Sequence, residues 1–532
     1  MAFDITHENV VHGLVERQAA KYGNRIFLYF QDKTFSFRQM DTEASRLAKG
    51  LQKLGIAKGD KVAVMLSNCP EFLFAAFGLS KLGAIQVPVN TAHKGNLLTY
   101  FLSQSDSRML ITSNRLLDRV EPVLETLPNL ERIIVIDQDG SGIPGLSKPA
   151  DDWACVVDND GILRDRPDML WSDPYCFMYT SGTTGPSKGS VTPHNYGFQI
   201  AKMTCEAFEF TERDRFYNCF PLFHGFSQNI ATMAMLYIGG QMVLTDWFSA
   251  SGYWEDVKRF NCSSSGFAPA VARMLLAAPP KPDDADNPVQ TILSAGVPKE
   301  IYDTFEKRFG VIIIEAYGMT ETSIPVWSSR RARRAGTAGR PHPDFQVKVV
   351  DDNGMEVGPN TPGELLMRPL KPYTMQLEYY KMPEKTVETW RDLWFHTGDC
   401  LYLDEDRYVH FVDRIKDAVR RRSENISSLE VEETINTHPS VLESAVIAAK
   451  SGLAEDEVMA CVVLQPGQTL APLELIKHCE TRMAYFMVPR YVRFMEALPK
   501  TPTVKTQKNV LREQGITPDT WDREKTGYRL KR

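Results

Sequence analysis

Over roughly its first 350 residues the chain alternates short apolar runs with amphipathic helical stretches, and few folds accept that order. Ser36 and Gln39 have the spacing of a capping box, and Met40, Ala44, Leu47, Ala48, Leu51 and Leu54 follow at helical intervals. Gly55 ends that helix. Lys61 to Leu66 then reads as a strand whose Val62-Ala63-Val64-Met65 centre is apolar on both faces. Glu71 to Leu82 reads as a second helix and Ile85 to Val89 as the next strand. Such strand–helix–strand units predict a largely parallel sheet covered by helices.

A length of 532 residues exceeds what one hydrophobic core accommodates, so several domains are expected. From about Phe345 the texture changes. Short strands at Gln346 to Val350 and Glu364 to Met367 stand between Gly and Pro turns, as in a small β-rich subdomain. Beyond Asp413 come a helix near Leu429 to Asn436, strands at Ala445 to Ala449 and Val458 to Leu464, and a helix near Leu473 to Met483. The charged stretch Asp413-Arg414-Ile415-Lys416 reads as the linker. The expected fold is therefore α/β: a large N-terminal domain over 1–413, made of α/β subdomains plus the β-rich one, and a smaller α+β domain over 414–532.

Charge and cysteine content narrow the class. A net charge of −6 gives no footprint for a polyanion, and Arg330-Arg331, Arg333-Arg334 and Arg420-Arg421-Arg422 read as solvated faces or, for some, as contacts to a small ligand's phosphates, so no nucleic acid partner is expected. No apolar run approaches the ~20 residues of a transmembrane helix, and Met1-Ala2-Phe3-Asp4 does not open like a signal peptide. The nine cysteines are scattered and form no Cys-x-x-Cys pair, which suits reduced thiols in a cytoplasmic enzyme.

The most informative stretch follows the apolar strand Tyr175 to Met178: Tyr179-Thr180-Ser181-Gly182-Thr183-Thr184-Gly185-Pro186-Ser187-Lys188-Gly189. Its hydroxyls, its glycine-freed amides and the Lys188 charge suit a polyphosphate at the carboxyl end of a strand. The spacing Gly182-x-x-Gly185-x-x-Lys188 is not that of a Walker loop. Downstream, in order, lie Pro221-Leu222-Phe223-His224-Gly225, Ser294-Ala295-Gly296-Val297-Pro298, Glu315-Ala316-Tyr317-Gly318-Met319-Thr320-Glu321, Trp394-Phe395-His396-Thr397-Gly398-Asp399, Asp413-Arg414-Ile415-Lys416 and Pro499-Lys500-Thr501-Pro502-Thr503-Val504-Lys505-Thr506-Gln507-Lys508. Taken singly, several of these would pass for turns, a packed histidine or surface lysines.

Together and in this order, from about Gly13 to Glu513, they resemble the adenylate-forming superfamily of acyl-CoA synthetases, peptide-synthetase adenylation domains and firefly-type luciferases. Through Arg422-Ser423-Glu424-Asn425-Ile426-Ser427-Ser428-Leu429-Glu430 the chain is most similar to acyl-CoA ligases of the crotonobetaine/carnitine-CoA ligase type. The resemblance implies ATP, Mg²⁺ and coenzyme A. Thr180, Ser181, Gly182, Thr183, Thr184, Gly185 and Lys188 would cradle the phosphates, and His224 would border the acyl pocket. Ala295, Gly296, Val297, Glu315, Ala316 and Tyr317 would hold adenine, with the Tyr317 ring stacked on it. Thr320 would touch the α-phosphate and Glu321 would hold the metal, as a hard cation with oxygen ligands requires. Asp399 would accept both ribose hydroxyls, since a carboxylate takes two hydrogen bonds at once. Arg414 would contact ribose or phosphate, and Lys416 would be the pivot about which a mobile C-terminal domain turns. Lys505 would be the catalytic lysine, its ammonium bridging the attacking carboxylate and the α-phosphate. Ser423 and Glu424 would line the approach of the coenzyme A pantetheine, and some of the clustered arginines would contact the coenzyme A phosphates.

Three positions depart from the family pattern: Ser423 and Val504 stand where glycine is usual, and Asn425 replaces the commoner basic residue. These bear on thioester formation, not on adenylation. The reading is an ATP- and Mg²⁺-dependent carboxylic acid:CoA ligase. One alternative passes the acyl group to a carrier protein or another acceptor; another, of a different class, is a non-catalytic nucleotide-binding sensor. The presence of Thr320, Glu321, Asp399, Arg414 and Lys505 together favours catalysis. The acid is not readable, and a homo-oligomeric state stays open.

Overall fold

In the computed structural model, which describes residues 9–163, 166–180, 187–297, 299–414, 419–421, 424–450, 456–501 and 505–530, the capping box forms as spaced. The Gln39 amide donates to the Ser36 hydroxyl at 3.2 Å, and the Ser36 amide donates to the Gln39 side chain at 2.8 Å. That starts the helix Phe37–Lys53, whose buried stripe runs Phe37, Met40, Ala44, Leu47, Ala48 and Leu51. It lies against the helix Pro70–Leu82, which is apolar nearly all round and buried accordingly. Gly78 sets how close the two come: a Cβ there would stand 2.8 Å from the Ala44 carbonyl oxygen.

The described residues pack into two units. The first gathers those of Met1–Ser181, Ser187–Gln346 and Arg368–Arg391; the second gathers those of Val347–Met367 and Asp392–Arg532. The expected boundary at Asp413 thus falls inside the second unit, at the end of the strand Val409–Arg414.

Two sheets build the first unit. One has seven strands in the spatial order Ala150–Asp152, Arg132–Ile136, Ser107–Ser113, Lys61–Met65, Ile85–Pro88, Pro174–Thr180 and Lys188–Pro193. All neighbours are parallel except the last pair, which is antiparallel and brackets the phosphate-loop sequence. The other has nine strands, parallel through its centre, where Thr291–Ser294 lies between Ser264–Gly266 and Ile312–Met319. The predicted parallel sheets are therefore present. Strands such as Lys61–Met65 are buried on both faces, and the cluster containing Val62, Val64, Phe72, Leu73 and Leu79 forms the core. Truncating a fully buried leucine of this kind, such as Leu47, costs about 2–5 kcal/mol.

The second unit holds the β-rich sheet, with Phe345–Val350, Gly363–Pro369 and Trp394–Leu403 side by side and Val409–Arg414 also paired to Trp394–Leu403. Its α+β part has a sheet of Val441–Lys450, Asp456–Leu464, Tyr491–Phe494 and Trp521–Asp522, with helices Ser428–Asn436, Pro472–Glu480 and Lys508–Gln514. Val431, Ile435, Val446, Val458, Leu475 and Ile476 close one core there. No helix among the described residues is long and apolar enough to cross a membrane. The nine cysteines are all unpaired; Cys155 is exposed, Cys400 half-buried and the other seven buried.

Candidate active site

Glu321 ends the segment that began as the strand Ile312–Met319, where the chain turns sharply back into Ser323–Trp327. The turn is tight at Gly318, where a Cβ would stand 2.0 Å from the Ser323 carbonyl oxygen. Only glycine fits such an approach, so its place in the motif is a steric requirement. Ser323 itself takes φ +62°, and the Met319 amide donates to the Thr322 hydroxyl at 3.1 Å. The half-buried Thr320 has its carbonyl fixed by the Tyr196 hydroxyl at 2.8 Å.

The Glu321 carboxylate is only 4% exposed and accepts a hydrogen bond on Oε1 from the Tyr379 hydroxyl at 2.8 Å. Burial first, and the Glu321 charge second, hold the Tyr379 hydroxyl firmly protonated, so it remains a donor. Among the described residues no three His, Cys, Asp or Glu side chains are grouped to hold a metal by themselves. One oriented carboxylate fits a hard cation whose other oxygens come from substrate phosphates and water, as Mg²⁺ prefers. Lys188 opens the strand Lys188–Pro193 directly across from Thr180, and its ammonium lies 4.3 Å from the centre of the Tyr379 ring. The Tyr100 hydroxyl donates to the Ser187 carbonyl at 2.7 Å, fixing the exit of the phosphate loop. Ser181, Gly182, Thr183, Thr184 and Gly185 lie outside the described residues.

The turn after Thr291–Ser294 exposes Ala295 and Gly296 and buries Val297. Gly296 takes φ +75° with no atom within 4 Å of a notional Cβ, an open approach for a flat ring. Glu315 stands beneath this turn, 3% exposed, and accepts the Val297 amide at 2.9 Å. Burial raises its carboxyl to about 7, against the amides of Val297 and Gly296. Ala316 is half-buried and Tyr317 buried, paired across the ladder with Trp327 and Val326. The His224 ring accepts the Phe226 amide on Nδ1 at 3.2 Å, which puts the proton of the neutral ring on Nε2. A π-helical turn, Phe226–Thr232, follows it, a distortion frequent at functional sites.

The second unit carries the remaining residues. Asp399, 5% exposed, stands opposite Arg414 in the ladder between Trp394–Leu403 and Val409–Arg414, with Arg414 Nε 3.6 Å from its Oδ1. Glu364 shapes the approach to Asp399 with both oxygens: Oε1 accepts the Gly398 amide at 3.0 Å and Oε2 meets His396 Nδ1 at 2.9 Å. Lys505 sits in a loop closed on itself, the Thr501 amide donating to the Lys505 carbonyl at 2.7 Å and the Gln507 amide to the Pro499 carbonyl at 2.8 Å. The flanking lysines are tied down, Lys500 to Glu443 at 2.6 Å and Lys508 to Glu432 at 2.7 Å. Desolvation of its ammonium, then the Arg414 charge, lower the Lys505 pKa, and the Asp399 carboxylate opposes them. Glu424 opens the strand Glu424–Ile426; Lys416, Ser423 and Val504 lie outside the described residues.

The residues singled out by motif therefore gather in sets: Lys188 and Glu321 about Tyr379, Val297 and Glu315, and Asp399 and Arg414 with Lys505. Sequence reasoning passed over Tyr379, Glu364 and Lys508. Each is defined by a partner dozens of residues away; Glu364 opened an expected strand and Lys508 closed the last motif, but nothing local pointed to their partners.

A family model described as AMP-binding enzyme matches residues 15–378, and one described as AMP-binding enzyme C-terminal domain matches residues 430–505. A crotonobetaine/carnitine–CoA ligase of Salmonella heidelberg (strain SL476) is 31% identical over 511 residues, 93% of this chain and 97% of the ligase. The crystal structure of an anthranilate CoA ligase in complex with anthranoyl-AMP superposes with a TM-score of 0.87 at 28% identity, over 96% of this chain and 98% of the other. A benzoate CoA ligase from Burkholderia xenovorans LB400 shares the fold at 22% identity, with a TM-score of 0.83 over 94% of this chain and 99% of the other.

Proposed function

This chain belongs to the family of AMP-binding enzymes, and from that membership we infer that it is an AMP-forming acyl-CoA synthetase, joining a carboxylic acid to coenzyme A at the expense of ATP. A carboxylate oxygen of the acid attacks the α-phosphorus of ATP, the bond from that phosphorus to the β-bridging oxygen breaks, and pyrophosphate leaves. The thiolate of coenzyme A then attacks the acyl carbon, the carbon–oxygen bond to the phosphate breaks, and AMP leaves with both electrons of that bond.

In this reading Lys188 and the loop before it bind the triphosphate, and Glu321 presents its carboxylate to Mg²⁺. The cation, when bound, supplies charge neutralisation on the phosphates. Residues 295–297, held from below by Glu315, receive adenine, with Ala316 and Tyr317 beside it. Asp399 accepts the ribose hydroxyls, Arg414 assists, and the Lys505 ammonium meets the charge that develops between carboxylate and α-phosphate. His224 borders the acid; Ser423 and Glu424 face the pantetheine. What supports these assignments most is the convergence of Asp399, Arg414 and Lys505, which come from three separate segments yet act on one another's charge.

The test is pyrophosphate release over a broad panel of carboxylic acids, with and without coenzyme A. At least one acid should give ATP-dependent release, and coenzyme A should convert the adenylate into thioester and AMP in equal amounts. No acid-dependent release across the panel would overturn the reading.

A further inference from the structure

The segment Gln376 to Tyr380 joins two parts of the first unit that carry charge. Its backbone extends the phosphate-loop sheet: the Leu377 amide donates to the Val191 carbonyl at 2.8 Å, the Val191 amide to the Glu378 carbonyl at 2.9 Å, and the Tyr380 amide to the Gly189 carbonyl at 2.9 Å. At its other end the Gln376 amide donates to the Glu321 carbonyl at 2.9 Å. Tyr379 stands opposite Ser190 and is 3% exposed. From that place one side chain serves two charges, its hydroxyl on Glu321 Oε1 at 2.8 Å and its ring face 4.3 Å from the Lys188 ammonium.

We propose that Tyr379 is a positioning residue that fixes the Glu321 carboxylate through its hydroxyl and the Lys188 ammonium through its ring, and so couples metal binding to triphosphate binding. The hydroxyl occupies Oε1 with a charge-assisted hydrogen bond and turns the remaining lone pairs to the cation. The ring holds the ammonium by its quadrupole, which is worth most where water is excluded. Because the tyrosine backbone is locked between strand Lys188–Pro193 and Glu321, neither charge can shift without straining the other's support. The proposal rests on the reading of Glu321 as the metal carboxylate.

The two functions separate by substitution. Tyr379→Phe keeps the ring, the ladder and the fold but removes the hydroxyl; Tyr379→Leu removes the ring face as well. ATP binding is measured by calorimetry in EDTA and at saturating Mg²⁺, without acid, and the ratio of the two affinities reports the coupling. Tyr379→Phe should leave the affinity in EDTA within about twofold of the parent and lower the coupling ratio about tenfold, as loss of a partner to a metal ligand does. Tyr379→Leu should in addition weaken binding in EDTA several-fold. A Tyr379→Phe protein with an unchanged ratio overturns the proposal, and so does one whose affinity falls equally in both conditions, the mark of general disorder. Glu321→Gln is the reference. If it lowers the ratio while Tyr379→Phe does not, only the role of Tyr379 falls; if it too leaves the ratio unchanged, the metal assignment of Glu321 falls with it.

Discussion

Lys505 is anchored through its own backbone, its carbonyl accepting the Thr501 amide and its amide donating to the Thr501 hydroxyl, so replacing its side chain should disturb little besides the proposed chemistry. Lys505→Ala is expected to slow adenylation about 10²- to 10³-fold in single-turnover pyrophosphate release while ATP affinity stays near that of the parent, because the ammonium meets charge present only in the transition state. Near-normal release would remove Lys505 from the reaction. Glu315 supports a different measurement. Burial raises its carboxyl from the ordinary glutamate value of 4.5 to about 7. The folded protein therefore keeps its proton where the unfolded chain has lost it. Glu315 favours the folded state fully below pH 4.5, and that advantage is lost as pH rises to about 7, a change of roughly 3 kcal/mol. Glu315→Gln lacks that titration, so its melting temperature should gain on the parent's between pH 5 and pH 8. A constant difference across that range would show that Glu315 ionises as freely folded as unfolded.

The hairpin from Ile312–Met319 into Ser323–Trp327 is the element on which Thr320 and Glu321 depend. A methyl at Gly318 would press on backbone, not on a movable side chain, so the two strands must separate. Gly318→Ala is expected to cost about 1–3 kcal/mol in denaturant unfolding and to depress adenylation more than that loss alone explains. Unchanged stability would mean that the turn relaxes freely. Element by element, the apolar strands and capped helices were legible because period and caps are local: Phe37–Lys53, Lys61–Met65 and Pro70–Leu82 lie where their spacing put them. The three-residue strand Ser264–Gly266 has no period to read and is a strand only because Arg215–Asn218 and Thr291–Ser294 flank it. The candidate site was legible where its residues cluster in one motif, as with Tyr317, Thr320 and Glu321. It was illegible where a partner arrives from elsewhere: Tyr379 reaches Glu321 through the ladder on Lys188–Pro193, and Glu364 reaches His396 across two strands. The loop bearing Lys505 is likewise secured by half-buried Glu432, whose Oε1 accepts both Lys508 and the Val446 amide. The Lys508 ammonium also donates to the Ser428 hydroxyl at 2.5 Å, and the Ser428 amide donates to Asp413 at 2.6 Å. The loop bearing Lys505 and the end of Val409–Arg414 are thereby joined through one helix start.

At the scale of the whole molecule, the residues of the proposed reading divide between the units: Lys188, His224 and Glu321 belong to the first, Asp399, Arg414 and Lys505 to the second. The two half-reactions can then be separated genetically. Ser423→Leu, at a position where the family carries glycine, should leave acid-dependent pyrophosphate release intact and abolish thioester formation, so that adenylate accumulates in quenched-flow samples. Equal loss of both steps would detach Ser423 from the path of coenzyme A. The thiols have another use at this scale. Burial pushes those of Cys219, Cys262 and Cys479 up to about 12, and only Cys155, on the short helix Trp153–Val157 of the first unit, is exposed. The native chain thus offers one exposed handle for a maleimide dye, with Cys400 half-buried and seven buried thiols that become available only on unfolding. One unaltered sequence can carry a fluorophore for binding studies and report its own integrity by the count of modified sulfurs.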